Sequence, residues 1–257
     1  MQRTGELYGQ FQTLDQQKET ATLGMWIFLV TEILFFGGLF LAYTINRHAF
    51  PTAFGVSGNM LSLPLGAANT VVLILSSFTM AMAVWSAQTS KKSLVTVFLI
   101  FTLILGSVFL GVKVVEYKQK FDHHLIPGYQ FDITYCSRNQ AACGLDDKEF
   151  ANEKKEIEEA IQLEKQNPGD PDASGVVALN AHSQLYFSLY FGMTGLHALH
   201  MIIGAGLLLW LILQAGKGRF DADYNTPVEN IGLYWHFVDI VWIYLFPLLY
   251  LINRHLV

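Results

Sequence analysis

The chain alternates five long apolar stretches with polar segments. A helix that spans a bilayer needs about 20 predominantly apolar residues, because each residue advances it by about 1.5 Å. All five stretches meet that length, and none shows the alternation over about ten residues that is typical of a membrane β-strand. The pattern therefore predicts an all-α membrane protein, a five-transmembrane-helix bundle. The predicted helices are Leu23–Ile45, Leu63–Ala87, Ser93–Glu116, Gln184–Leu213 and Asn230–Asn253.

The polar segments define the remaining organisation. Residues 1–22 form a polar N-terminal segment, 23–116 carry the first three helices, and 184–257 carry the last two. Residues 117–183 form a polar extramembrane insert between the third and fourth helices.

The insert is predicted to be partly helical. Phe150, Ile157 and Ile161 recur near the helical period within a stretch rich in Glu and Lys. We therefore expect a helix over Asp146–Asn167, ended by Pro168 and the residues that follow it.

Composition and charge support a membrane location. The chain is 52% hydrophobic and only 14% charged, whereas soluble domains carry about 25% charged residues. Its net charge of −5 and the lack of a basic tract exclude a nucleic-acid partner. The polar N-terminal segment lacks the charged, apolar and small-residue order of a cleavable signal, so the first helix is expected to act as its own insertion signal.

The distribution of basic residues predicts the orientation in a bacterial-type cytoplasmic membrane. Short inner segments of such proteins carry more Lys and Arg than outer ones, which favours an inner N-terminus and an outer insert and C-terminus here. The predicted inner segments carry Arg3, Lys18, Lys91, Lys92, Lys217 and Arg219, and the predicted outer ones carry Arg47 and Arg254, with Lys118 and Lys120 at the start of the insert.

The two cysteines of the chain, Cys136 and Cys143, both lie in the insert. Outside the cytoplasm they would meet an oxidising environment in which a disulfide can persist, and two free thiols are the alternative. The six-residue gap and the lack of further cysteines do not suit a four-ligand zinc framework.

Ionisable residues within the apolar stretches are the main site candidates, because such groups are costly in lipid. Glu32 lies about 13 Å into the first helix by helical rise. It is either a buried carboxyl that exchanges protons or a hydrogen-bonded glutamate that ties two helices together. Lys113 and Glu116, one turn apart, are predicted to form a local ion pair at the outer interface.

A second set of polar residues lies on the last two helices. His197 and His200 share one face of the fourth helix, and Glu229, His236 and Asp239 lie near one face of the fifth. Two interpretations are open: metal or haem ligands, or a polar seam between helices. The different depths of His200 and His236 favour the seam.

Four motifs in order resemble the cytochrome c oxidase subunit III family. The run Leu233–Trp242 resembles its last helix, and Gly24–Phe36 resembles the helix that carries its buried carboxylate. Gly106–Tyr117 is similar to the helix before its large loop, and Thr194–Gly204 to its penultimate helix.

The resemblance implies a non-catalytic core subunit of an aa3-type haem–copper terminal oxidase, which reduces O2 to water and translocates protons. Haem and copper would belong to partner subunits I and II, with none in this chain. The chain would pack beside subunit I, bind phospholipid in a cleft, and support proton uptake and durable turnover.

By position, the resemblance also implies residue roles. Glu32 corresponds to the buried carboxylate of the cleft, and the polar seam comprises His197, His200, Glu229, His236 and Asp239. Trp26, Trp235 and Arg219 are expected to contact lipid or the membrane interface.

The chain departs from the longer family members in two respects: it has five predicted helices instead of seven, and its insert is enlarged. We hypothesise that the insert docks cytochrome c or another respiratory complex. Three rival interpretations remain: a membrane protein with its own haem on His197, His200 or His236, an ion transporter using Glu32, and a subunit III relative in a quinol oxidase or a nitric-oxide-reductase-associated complex.

Overall fold

The computed structural model describes residues 10–166, 175–222 and 224–252. Within these ranges the chain is helical and contains no β-strand. The helices are α1 (Leu14–Ala49), α2 (Pro51–Asn59), α3 (Leu63–Gln88), α4 (Lys92–Asp122), α5 (Tyr135–Arg138), α6 (Gln140–Cys143), α7 (Asp147–Lys165), α8 (Val176–Gly216) and α9 (Thr226–Phe246), followed by a π-helical turn (Pro247–Leu251).

The five predicted spans are confirmed. Within the described residues, α1, α3, α4, α8 and α9 with its π-helical turn are long and apolar enough to cross a membrane. Several extend beyond the apolar stretches: α4 continues past Glu116, and α8 begins before Gln184. The residues by which α4 and α8 exceed the predicted spans include no Pro, which would stop a helix. The predicted end of the last span, Asn253, lies outside the described residues.

The described chain packs as two compact units. The first is formed by residues 10–37, Ala68–Leu110 and His197–Ile243. Its core lies along α9, where Trp235 and Trp242 donate their indole N–H groups to Ser76 and Thr70 of α3 over 3.0 and 3.1 Å. These bonds satisfy two buried donors and fix how α9 faces α3.

The second unit is formed by Gly38–Ala67, Gly111–Leu196 and residues 244–252, within the described part. Its core is aromatic, and two of its tyrosines bond the π-helical turn. Tyr43 donates to the Leu248 carbonyl over 3.0 Å, and Tyr186 donates to the Leu249 carbonyl over 3.2 Å. These hydroxyls satisfy carbonyls near a helix end that would otherwise be unpaired.

The predicted helix of the insert is present as α7. Asp146 caps it by accepting the Lys148 and Glu149 backbone N–H groups, and Glu149 completes a reciprocal capping box. The helix packs against α2 and α5. It ends at Lys165, and the predicted stop at Pro168 lies outside the described residues.

A disulfide joins Cys136 of α5 to Cys143 of α6. It closes a short loop within the insert, and Gly144 after α6 adopts the left-handed conformation that ends this helix.

Candidate functional site

Glu32 of α1 lies against His200 of α8. The carboxylate Oε2 is 3.2 Å from the imidazole Nε2, and the two side chains are 21% and 11% exposed. The His200 ring also contacts Phe36, one turn beyond Glu32, with ring centroids 5.4 Å apart. Tyr234 of α9 donates its hydroxyl to the His200 backbone carbonyl over 3.0 Å. Three helices thus position this acid–imidazole pair.

The surface around Glu32 is apolar. In the most apolar part of α1 only 11% of residues are buried, against 56% in the corresponding part of α9. Five aliphatic residues on this part of α1 are more than half exposed; these are Leu23, Ile27, Val30, Ile33 and Leu34. An apolar surface of this extent on a membrane helix needs lipid or another protein to cover it. Glu32 is therefore a polar residue within an apolar face of α1 that lipid or another protein can contact.

Two of the other predicted seam residues, His236 and Glu229, bond side chains of α3. His236 Nδ1 lies 2.7 Å from the Ser77 hydroxyl, and Glu229 accepts a hydrogen bond from Gln88 over 2.6 Å. Both contacts join α9 to α3. They tie helices together at separate points and do not converge on a common centre.

His197 and Asp239 are both buried in the first unit. The His197 ring packs against Phe109 and Trp242, with centroids 5.4 Å apart in both cases. Aromatic enclosure of this kind fits a packing role for the imidazole.

The predicted lipid or interface contacts fall into two groups. Trp26 is 53% exposed and Arg219 is exposed, so their roles stay predictions. Trp235 is fully buried, and its ring packs against Gly106 and Gly204; the prediction that it contacts lipid is wrong. Because α9 is the most enclosed of the five spans, a tryptophan on its inner face lies in the core.

A second polar cluster, which the sequence revealed only in part, lies in the second unit. Lys113 and Glu116 of α4 form an ion pair at 2.8 Å, as predicted. The pair does not lie at an exposed interface, because the residues are only 4% and 0% exposed. Tyr190 of α8 donates to Glu116 Oε1 over 2.9 Å, and Tyr250 bonds both Glu116 and Lys113. The two tyrosines lie far along the chain from Glu116, and no local spacing signals their contact.

Together these features define the class: a multi-span helical membrane protein whose buried polar side chains pair across helices and whose first helix presents an apolar face. The family profile described as cytochrome c oxidase subunit III matches residues 2–124 and 176–253. The chain belongs to this family. Glu32, Glu116, His200 and His236 all lie in the matched part, whereas residues 125–175, with both cysteines, lie outside it.

Three staphylococcal proteins are similar to the chain over nearly its whole length, and each is named probable quinol oxidase subunit 3. The protein of Staphylococcus saprophyticus is 25% identical over 94% of both chains. That of Staphylococcus haemolyticus is 26% identical over 90% of this chain and 88% of its own. That of Staphylococcus aureus is 26% identical over 91% of this chain and 90% of its own.

Proposed function

We propose that the chain is the non-catalytic subunit III of an aa3-type haem–copper terminal oxidase, a cytochrome c oxidase of aerobic respiration. Subunit I is its main partner and subunit II a second one, and these partners carry the haem and copper. Membership of the subunit III family supports the coarser part of this proposal, a place in a haem–copper oxidase complex.

The proposed role in lipid binding and proton uptake rests on the Glu32–His200 pair on the apolar face of α1. A carboxylate at a lipid-exposed surface is unfavourable unless it is paired or protonated, and His200 at 3.2 Å supplies the partner. Phospholipid chains cover the aliphatic side chains around the pair, and the pair gives this surface one site that exchanges protons. The chain thereby holds lipid beside subunit I and supports proton uptake and durable turnover.

The contacts of the histidines favour this role over a haem held by the chain itself. His200 faces Glu32, His236 faces Ser77, and His197 packs between aromatic rings. A haem ligand would have to give up one of these contacts. An axial ligand also needs open space beside the imidazole, which aromatic packing fills at His197.

Replacing Glu32 by Gln in the purified complex tests the role of the pair. Subunit assembly and the haem spectrum should be unchanged, while bound phospholipid falls or inactivation during turnover accelerates by roughly two- to fivefold, less than about 1 kcal/mol in barrier height. Glu229→Gln is the matched control, because Glu229 bonds Gln88 and lies away from this pair. Equal behaviour of both variants, or loss of the haem signals in Glu32→Gln, contradicts the proposed role.

A quinol oxidase is the second candidate for the complex, because the similar staphylococcal proteins carry that name. In either complex, the electron donor is selected by subunit II. Oxygen uptake by the purified complex with reduced cytochrome c, compared with uptake with a quinol, distinguishes the two.

The proposed location is the bacterial cytoplasmic membrane, with the N-terminus inside and the insert outside. The insert then faces external partners, and we keep the hypothesis that it docks cytochrome c or another respiratory complex. Cross-linking through α7 in intact membranes tests this hypothesis. Cross-links to lipid alone, or none to a protein of the respiratory chain, would contradict it.

A further inference from the structure

Three residues of the metal-binding types converge in the insert. His123 follows α4, Cys136 belongs to α5, and Cys143 ends α6. Their imidazole nitrogen and sulfur atoms lie within 4.8 Å of one another. Within the described residues, no other three His, Cys, Asp or Glu side chains come this close. The disulfide already holds the two sulfur atoms side by side.

His123 has a hydrogen-bonding contact with the backbone of Cys143, beside the cluster. Its imidazole bonds the backbone carbonyl of Cys143. Metal-binding histidines commonly donate one ring N–H to a carbonyl in this way, which fixes the tautomer and leaves the other nitrogen's lone pair for the metal.

The cluster also has access to solvent. His123 and Cys136 line a cavity of about 520 Å³ that is bounded on its other sides by α7 and by the segment after α2. Glu149 and Glu153 of α7 contribute carboxylates to its wall. An ion can therefore approach the His123 and Cys136 side of the cluster through a polar opening.

We propose that, when the disulfide is reduced, His123, Cys136 and Cys143 bind one monovalent copper ion. Two thiolates and one imidazole supply three ligands in a compact set, and soft thiolate sulfur favours Cu⁺. Zn²⁺ generally takes a fourth ligand, which these three residues do not supply. The site thus alternates between a metal-free disulfide and a copper-bound dithiolate.

A dithiol is the reductant that opens the Cys136–Cys143 disulfide. The dithiol transfers two electrons and two protons to the Cys136–Cys143 bond, which opens to two thiols while the reductant becomes a disulfide. Binding of Cu⁺ then displaces the two thiol protons to solvent. Neither step involves the residues of the proposed oxidase role, so the two proposals stand or fall separately.

Copper competition on the full-length chain in mild detergent tests the proposal. After reduction by a dithiol and removal of the reductant without oxygen, the chain should take one equivalent of Cu⁺ from a chromophoric Cu⁺ chelator. The untreated disulfide form should take none. Failure of the reduced chain to bind, or equal binding by the disulfide form, overturns the proposal.

Two neighbouring histidines provide matched variants. His123→Asn removes the proposed nitrogen ligand and should weaken Cu⁺ binding by about tenfold or more. His124→Asn should leave it unchanged, because the His124 ring packs on Tyr135, 4.0 Å between centroids. The left-handed backbone at His124 also accommodates asparagine. Binding that is equal in the two variants overturns the three-ligand site.

X-ray absorption on the copper-loaded wild-type chain tests the ligands without any substitution. The expected first shell contains two sulfur atoms and one nitrogen. A shell of sulfur alone, or one of nitrogen and oxygen alone, contradicts the assignment. Because this measurement needs no cysteine variant, it does not depend on whether Cys136→Ser or Cys143→Ser folds.

Discussion

At the scale of single residues, the Lys113–Glu116 pair shows how this chain accommodates charge within its apolar core. Taking two charges out of water carries a desolvation cost of several kcal/mol per ion, and the mutual attraction offsets it only when the remaining polar atoms are also bonded. Tyr190 and Tyr250 provide those bonds. The four side chains therefore act as a unit whose members depend on one another.

This dependence makes the single and double substitutions differ. Glu116→Leu leaves Lys113 buried without its counter-ion and should lower the free energy of unfolding by about 3–5 kcal/mol. The double variant Lys113→Met with Glu116→Leu should recover most of that loss, since no charge stays buried. The apparent unfolding midpoint of the purified chain in detergent measures both effects.

The exposed pair Lys92–Asp221 is the control for this test. Its atoms lie 3.6 Å apart and its side chains are 49% and 38% exposed. Asp221→Asn should change stability by no more than about 1 kcal/mol, because solvent screens such pairs. If the double variant Lys113→Met with Glu116→Leu were as unstable as Glu116→Leu alone, packing and not charge would dominate at the buried pair.

Single-residue chemistry was only partly predictable from the sequence. The one-turn spacing of Lys113 and Glu116 predicted their pairing, because that spacing places side chains on the same helix face. Their burial was not predictable, since it depends on tyrosines that arrive from distant parts of the chain. The contact of Glu32 with His200 joins α1 to α8 in the same way. Both residues were candidates from the sequence, but Glu32 was considered alone and His200 as part of the polar seam.

At the scale of helices, the contact between α8 and α9 depends on a glycine. A Cβ atom at Gly204 would lie 2.9 Å from the Trp235 ring, closer than real contacts allow. A Cβ atom at Gly206 would meet nothing within 4 Å. Both glycines belong to α8, so the same substitution at the two positions isolates the packing effect.

Gly204→Ala should therefore destabilise the chain by about 1–3 kcal/mol, as overpacking of a core does. Gly206→Ala should be neutral or slightly stabilising, because alanine is the better helix former. Thermal unfolding of the two variants side by side measures the difference. Equal midpoints would contradict the close approach of α8 and α9 through Trp235.

Helix α7 carries a glutamate whose ionisation depends on its surroundings. Burial raises the pKa of Glu153, and the carboxylates of Glu156 and Glu149 raise it further, against the opposing attraction of Lys120. The folded chain therefore holds this proton to a higher pH than the unfolded chain. The contribution of Glu153 to stability consequently falls as the pH rises above the usual glutamate range, and is lost above its folded pKa.

Glu153→Gln removes this pH dependence. The variant should protect the amides of α7 from hydrogen exchange better than the wild type at pH 7.5, and the advantage should shrink toward pH 4.5. Glu158→Gln, at an exposed position of the same helix, should match the wild type at both values. Lower protection in Glu153→Gln at pH 7.5 would mean that attraction to Lys120 outweighs burial.

Hydropathy and spacing predicted the helices well because length and periodicity are local properties of the sequence. All five spans and α7 were found in this way. The short helix α2 was not predicted, since its nine residues are too few to span a membrane and show no clear amphipathic period. The burial of Trp235 was also not predicted, because the polar residues of α9 mark one face of the helix but do not show which helices cover its other faces.

At the scale of the whole molecule, the described structure combines spans that the family profile matches with an insert that lies mostly outside that match. The matched residues 2–124 and 176–253 contain every span, while the disulfide and α7 lie outside the match. The motifs of four helices sufficed to predict the family, because all four occur along the chain in the family's order. The cluster of His123 with the cysteines was not predicted, since it requires the fold of the insert.

The proposed function makes this chain a non-catalytic subunit of a haem–copper oxidase. The most direct test is to purify it with its native partners in mild detergent and to compare haem spectra of the complex and of the isolated chain. We expect a-type haem bands in the complex and none in the isolated chain. Haem that stays with the isolated chain would contradict it and would make His197, His200 or His236 a ligand.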